Sequence, residues 1–347
     1  MSTSTYLPSL NGVRAISILL VLGSHVTHSF DLAPSTLLYV RTFFNGYLGV
    51  NIFFVLSGFL ITYLLVKEEN DTGSISLRNF FLRRIFRILP VYFAFLLALL
   101  LIDRFTAVDF STCEWITSLT LTKNFGCHQW LDGHLWSISV EEQFYLIWPF
   151  VLVYAVKGKQ RNVFAISLIV IAVFFRVFFH RAGYYVQESY SFFTNMDSLM
   201  LGSVTGLLFF RGSPWLIRIL SFRPQLIRTL IMMLMLATSY AEIHHSFRVI
   251  LNPFGKSIQS VAAAYLIASY VYLPVGIGYR ILNNKIVSYI GVLSYSIYIW
   301  QQIFFERSFN GGVALFPLNI LLIMIVAFLS YNFLEQPFLK LRRKYHK

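Results

Sequence analysis

The sequence predicts an all-α integral membrane protein of about ten transmembrane helices, with both termini in the cytoplasm. Three observations carry this. Of the 347 residues, 57% are hydrophobic and only 12% are charged, too few polar groups to cover a soluble domain of this size. Apolar stretches long enough to cross a bilayer recur along nearly the whole chain and leave no room for a water-soluble domain of useful size. The net charge of +13 is spread unevenly among the loops. In a membrane protein that distribution reports orientation before it reports a nucleic-acid partner.

The first span is predicted at 13–30. The preceding MSTSTYLPSLNG has no basic region and no cleavage site follows the first apolar run. It therefore reads as a short cytoplasmic tail before a retained helix, not as a signal peptide. Further spans are predicted at 47–66, 89–103, 136–156, 162–179, 197–210, 229–243, 257–277, 286–305 and 314–334. With the N-terminus inside, segments 67–88, 157–161, 211–228, 278–285 and the tail from 335 face the cytoplasm and hold 19 of the 28 Lys and Arg. That asymmetry follows the positive-inside rule, so most of the basic balance is topology and no nucleic-acid partner is expected. Neither an internal repeat nor an interdomain linker is evident, and residues 1–347 read as one membrane domain. Cys113 and Cys127 share the outside loop 104–135, where a disulfide can persist; two free thiols are the alternative. Cys113 and His128 make no metal pattern, and no metal is expected.

Four stretches hold polar residues that membrane burial does not explain. In GVRAISILLVLGSHV, Arg14 and His25 are eleven residues apart. They return to within about 20° of one helical face and lie about 16 Å apart along the axis. Such groups cost on the order of 2.5–3.5 kcal/mol in the bilayer, so they usually line a cavity or meet a partner. The plainer alternative has Arg14 reaching for lipid headgroups and His25 bridging two helices. His28 reads as interfacial.

In LRRIFRILP, Arg84 and Arg87 share a face just before Pro90, where a helix can begin or kink. Two guanidiniums on one cytoplasmic face suit phosphate, which arginine binds through parallel hydrogen bonds; an ordinary basic cluster against anionic lipid is the alternative. Arg83 points elsewhere. In GYLGVNIFFVLSGFLIT, Gly46, Gly49 and Gly58 permit close helix contact, and Ser57 is an acyl-accepting nucleophile only if a base stands beside it. In HLWSISVEEQFYLIWPF, Glu141 lies inside an apolar helix with Ser137 one turn before it and Tyr145 one turn after, while Glu142 is rotated off that face. An intramembrane carboxylate can orient an imidazole, as the acid does in a nucleophile–base–acid chain, or simply bond a neighbouring helix.

Together these parts suit a thioester of coenzyme A, with phosphates at the three arginines, pantetheine threaded inward and the acyl carbon near His25. A general base within reach of a hydroxyl is worth roughly 10²–10⁴ in rate. A transporter or flippase for a polar lipid-linked molecule fits the same residues nearly as well.

The order of the motifs resembles the membrane acyltransferase-3 family over nearly the whole chain. LNGVRAISILLVLGSH is similar to its opening, with Arg14 and His25 as the arginine–histidine pair. GYLGVNIFFVLSGFLIT resembles its second helix, FFLRRIFRILPVY its R-x-x-R segment (Arg84 and Arg87), and HLWSISVEEQFYLIWP its tryptophan–glutamate motif, which places the motif acid at Glu141. LSYSIYIWQQ and NFLEQPFLKLRRK are similar to its last two helices.

The resemblance implies an O-acyltransferase in a bacterial cytoplasmic (inner) membrane. Its co-substrate is acyl-CoA, acetyl-CoA being favoured, with no permanently bound cofactor. Its acceptor is a hydroxyl of an extracytoplasmic or lipid-linked glycan, and membrane lipids surround it. The implied donor-binding residues are Arg14, Arg84 and Arg87. The implied catalytic residues are His25, as base or transient acyl carrier, and Glu141, with Asn51, Ser57, Ser137 and Tyr145 in support. The chain ends 13 residues after the last predicted span, which suggests the stand-alone form without an esterase-like domain. Two departures stand out. Many members carry aspartate where this chain has Asn51, and many read Trp-His where it has Trp300-Gln301-Gln302.

Overall fold

A computed structural model describes residues 7–30, 33–127, 129–244, 246–307 and 311–342, so His128 and the basic residues of 343–347 lie outside it. Each predicted span overlaps a helix. These are α1 (Leu10–Val26), α2 (Gly46–Thr72), α3 (Leu77–Phe105), α4 (Leu135–Phe150), α5 (Gln160–Arg181), α6 (Phe192–Phe210), α7 (Pro224–Ile243), α8 (Arg248–Tyr272), α9 (Lys285–Phe305) and α10 (Leu318–Ser330). Among the described residues there is no strand. Six helical stretches, those containing α1, α2, α3, α5, α7 and α10, are long and apolar enough to cross a membrane. The protein is an all-α, multi-pass membrane protein. The other four long helices carry interior polar groups: Glu141 and Glu142 in α4, Asp197 in α6, Gln259 in α8, Gln301 and Gln302 in α9.

Several boundaries differ from the expectation, each for a local reason. Helix α3 begins at Leu77, twelve residues before the expected start at 89, capped by the Ser76 hydroxyl accepting from the Asn79 amide, and it runs through Pro90. A proline inside a helix forfeits one backbone bond, and a long apolar helix absorbs that loss. Arg84 and Arg87 therefore sit within a helix. Helix α2 continues to Thr72, extended by a Lys67–Asp71 pair at 2.7 Å and closed by Gly73 in the left-handed conformation. Helix α8 spans 248–272 instead of 257–277. Loops expected between spans hold short helices at Pro34–Phe43, Thr112–Leu119, Pro214–Ser221 and Ile277–Leu282.

Helix α2 is the central element, packed against α6, α1 and α8, while α1 also runs along α9. Glycine makes two of these contacts. A Cβ at Gly58 would overlap the Leu199 carbonyl of α6, and one at Gly202 would overlap the Val55 carbonyl of α2, so the two backbones touch where small residues permit it.

The bundle has two distinct ends. At the basic end Glu68 pairs with Arg83 at 2.9 Å, Glu69 with Arg161 at 2.5 Å, and Arg211 donates to the Gly158 carbonyl at 2.5 Å. At the opposite end residues 106–127 and 129–134 fold down as a cap. Cys113 and Cys127 form a disulfide, Lys123 and Asp132 are 0% and 1% exposed and form an ion pair, and Ser118 donates to the same carboxylate at 2.9 Å. The alternative of free thiols is thereby set aside.

Candidate active site

Helices α1, α2, α3, α4 and α9 bring the arginines together. Arg14, Ser57, Arg84, Arg87, Ser137, Glu141, Glu142 and Tyr145 line one cavity, of about 100 Å³, toward the basic end. Arg84 lies over the Tyr145 ring, 4.6 Å from its centroid, and Arg14 donates to the Asn11 side-chain oxygen one turn back at 2.9 Å. None of Arg14, Arg84 and Arg87 forms an ion pair with a described residue. Their charge is available to an anion, and the planar guanidinium can bind phosphate through two bonds. Arg83 turns away to Glu68.

His25 lies in a second cavity, of about 660 Å³, toward the disulfide end. Val50 and Tyr298 line both cavities and form the wall between them. The Tyr298 hydroxyl is fixed there by Ser137 Oγ at 2.6 Å and by the His134 carbonyl at 3.1 Å. Arg14 and His25 therefore share a helix face, as their spacing predicts, yet serve neighbouring chambers.

The partners of the predicted residues differ from expectation in three places. Gln301, not Glu141, stands at His25: its Oε1 is 3.2 Å from Nδ1. An amide oxygen only accepts, so a proton on Nδ1 directed at it leaves Nε2 with its lone pair. The expected acid–imidazole chain from Glu141 is thus not formed. Glu141 instead accepts a hydrogen bond from Ser57 Oγ at 2.5 Å, so the group beside Ser57 is a carboxylate in the arginine cavity. Asn51 lines neither cavity. Its oxygen accepts from Ser198 and from Ser260 at 3.0 Å, and its nitrogen donates to the Lys256 carbonyl at 3.1 Å. It is a joint between α2, α6 and α8, a role that needs a donor and therefore suits asparagine over aspartate.

Residue reading missed His134, Trp130 and the use of the two glutamines. His134 is buried, with Nε2 3.0 Å from the Ile299 carbonyl and Nδ1 against Gln302 Oε1. Adjacent glutamines of α9 thus each hold one imidazole. Trp130 packs edge-on to His25 at 5.3 Å and against His28 at 4.2 Å. The signal for His134 was its place at the head of the LWSISVEEQ motif; nothing in the sequence marked Trp130.

A bundle with arginines that form no ion pair with a described residue at one end, and a histidine chamber beyond them, suits a membrane transferase or a carrier of anionic molecules. The model of the acyltransferase domain of the acyltransferase-3 family matches residues 7–331, and the chain belongs to that family. It is 28% identical to O-acetyltransferase OatA of Staphylococcus aureus (strain NCTC 8325 / PS 47), over 98% of this chain and 58% of that protein. It is 30% identical to the Bacillus subtilis (strain 168) protein named "Putative peptidoglycan O-acetyltransferase YrhL", over 96% of this chain and 55% of that protein. The chain thus spans little more than half the length of these relatives. No solved structure matches it.

Proposed function

We propose that the protein is an O-acyltransferase of the bacterial cytoplasmic membrane. It moves acetyl from acetyl-CoA, bound from the cytoplasm, to a hydroxyl of an extracytoplasmic or lipid-linked glycan. The observation that carries this reading is the pair of adjoining chambers: three guanidiniums with no ion-pair partner among the described residues in one, His25 in the other, one wall between them. The basic end is the cytoplasmic end by the positive-inside rule. There Arg14, Arg84 and Arg87 hold the phosphates of the donor, and the pantetheine arm points toward the wall of Val50 and Tyr298, with His25 beyond it.

His25 takes the chemistry. With its Nδ1–H held by Gln301, Nε2 accepts the proton of the acceptor hydroxyl as the oxygen attacks the thioester carbonyl. The C–S bond then breaks, and the proton passes from Nε2 to the leaving thiolate. Glu141 and Ser57 lie on the donor side, where they order the arginine chamber and take no proton from the acceptor. The relatives' names support acetyl as the group transferred.

The test gives purified protein in lipid vesicles radiolabelled acetyl-CoA and an extract of surface glycans. Label should move to glycan, and His25→Ala should reduce the rate by roughly 10²–10⁴. Transfer that survives this substitution removes His25 from the reaction. Label retained on the protein before acceptor is added, and lost in His25→Ala, would replace the base with an acyl-histidine relay. Absence of acetyl-CoA binding would return the chain to the carrier reading.

A further inference from the structure

The histidine cavity has a chemical character that the reaction alone does not require. Arg41, His25 and His28 line it together with Trp130, Trp136 and Tyr190. No aspartate or glutamate is among the described residues that line it; Glu306 acts on His28 from outside the lining. Three other cations of this end are already engaged. Lys123 is buried against Asp132, Arg176 donates to Asp197 at 2.6 Å, and Lys256 donates to Asn195 at 2.7 Å. Arg41, exposed on the short helix Pro34–Phe43, makes no ion pair or hydrogen bond with a described residue through its side chain.

We propose that this cavity is the subsite for an anionic saccharide, whose carboxylate or phosphate is read by Arg41 while its ring lies against Trp130. The chemistry on both sides matches. A guanidinium takes a carboxylate or phosphate through two parallel bonds, better than an ammonium does. The negative face of an aromatic ring attracts the C–H groups that one face of a sugar ring presents. Without an acidic side chain in the lining, nothing in the cavity repels the anion. Trp130 also touches His25 at 5.3 Å, so a ring lying against it holds its hydroxyls beside the imidazole. The inference rests on reading this cavity as the acceptor side.

The test measures binding without acetyl-CoA, so that it stands apart from the transfer assay. The protein in neutral-lipid nanodiscs at low salt is titrated with a uronic-acid oligosaccharide and with the same oligosaccharide after its carboxyls are reduced to alcohols. A phosphate-bearing oligosaccharide and its dephosphorylated form make a second pair. In at least one pair the acidic form should bind on the order of 10- to 100-fold tighter, and the pair that shows it tells carboxylate from phosphate. Arg41→Gln should bring that ratio close to one, Arg41→Lys should keep part of it, and Arg104→Gln, which removes an exposed cation outside the cavity, should keep all of it. Ratios near one in both pairs, or a ratio that Arg41→Gln leaves intact, overturn the inference. An acidic preference in a protein that transfers no acetyl would overturn the enzyme reading and leave this subsite standing.

Discussion

Because the Gln301 amide lies 3.2 Å from Nδ1 of His25, the imidazole is oriented by a neutral partner. A histidine at that position would pair two imidazoles, and a carboxylate there would make an acid–base dyad. A neutral acceptor orients the ring without adding charge to it. Gln301→Leu should therefore lower kcat by on the order of 10- to 100-fold, the range seen when outer partners that orient metal-bound histidines are removed, with little change in the KM for acetyl-CoA. Gln301→Glu, which keeps the acceptor, should retain more activity and move the pH–rate profile. Equal losses in both variants, with no shift of the profile, would make Gln301 a packing residue. At the same scale, Arg84→Ala/Arg87→Ala should raise the dissociation constant of acetyl-CoA, each lost charged hydrogen bond being worth about 1.5–3 kcal/mol. An unchanged constant by calorimetry would return both arginines to the positive-inside count.

Two elements set the geometry around these residues. The first is the α2–α6 contact, which fixes the helix that carries Ser57 and forms part of both cavity walls. A Cβ at Gly202 meets backbone with nowhere to move, so Gly202→Ala should destabilise by about 1–3 kcal/mol or more, the usual cost of overpacking. Gly212→Ala, whose Cβ would meet open space but whose φ is +58°, should cost only its backbone strain. Thermal unfolding in detergent compares the two. The second element is the cap over the disulfide end, which delivers Trp130 to His25. Asp132→Ala would leave Lys123 buried without its counter-charge, a change that costs about 3–5 kcal/mol where a buried pair is broken. The expected result is faster proteolysis of the 106–134 segment, with the ten long helices retained by circular dichroism; an unchanged cleavage rate would show that the disulfide alone holds the cap.

At the scale of the molecule, the two chambers imply a direction across the membrane. In a variant with Cys113 and Cys127 replaced by serine, Asp71→Cys should be labelled by a membrane-impermeant maleimide only after the cell is opened, and Phe125→Cys in intact cells. The reverse pattern would invert the proposed orientation and, with it, the side from which the donor enters.

How much of this was legible in the sequence depends on the range of the interaction involved. Hydropathy placed a helix at each of the ten predicted spans, because apolar length is a local property of the chain. The helical period placed Arg14 and His25 on one face, and the positions of Arg84, Arg87 and Glu141 followed from their own short segments. Helix ends were less legible: the extra turns of α2 and α3 depend on Gly73 and the Ser76 cap, and polar residues there weaken the hydropathy signal.

What the sequence by itself determined is the membrane bundle and the identity of its polar interior residues. Only the tertiary structure decided which of those residues meet. It separated the arginines from His25 by the wall of Val50 and Tyr298, gave His25 a glutamine from a helix 276 positions away, joined Glu141 to Ser57, and withdrew Asn51 into a helix joint. The physical reason is that a buried polar group must find a partner. Which partner it finds is fixed by how helices distant in sequence cross, and no local pattern encodes that.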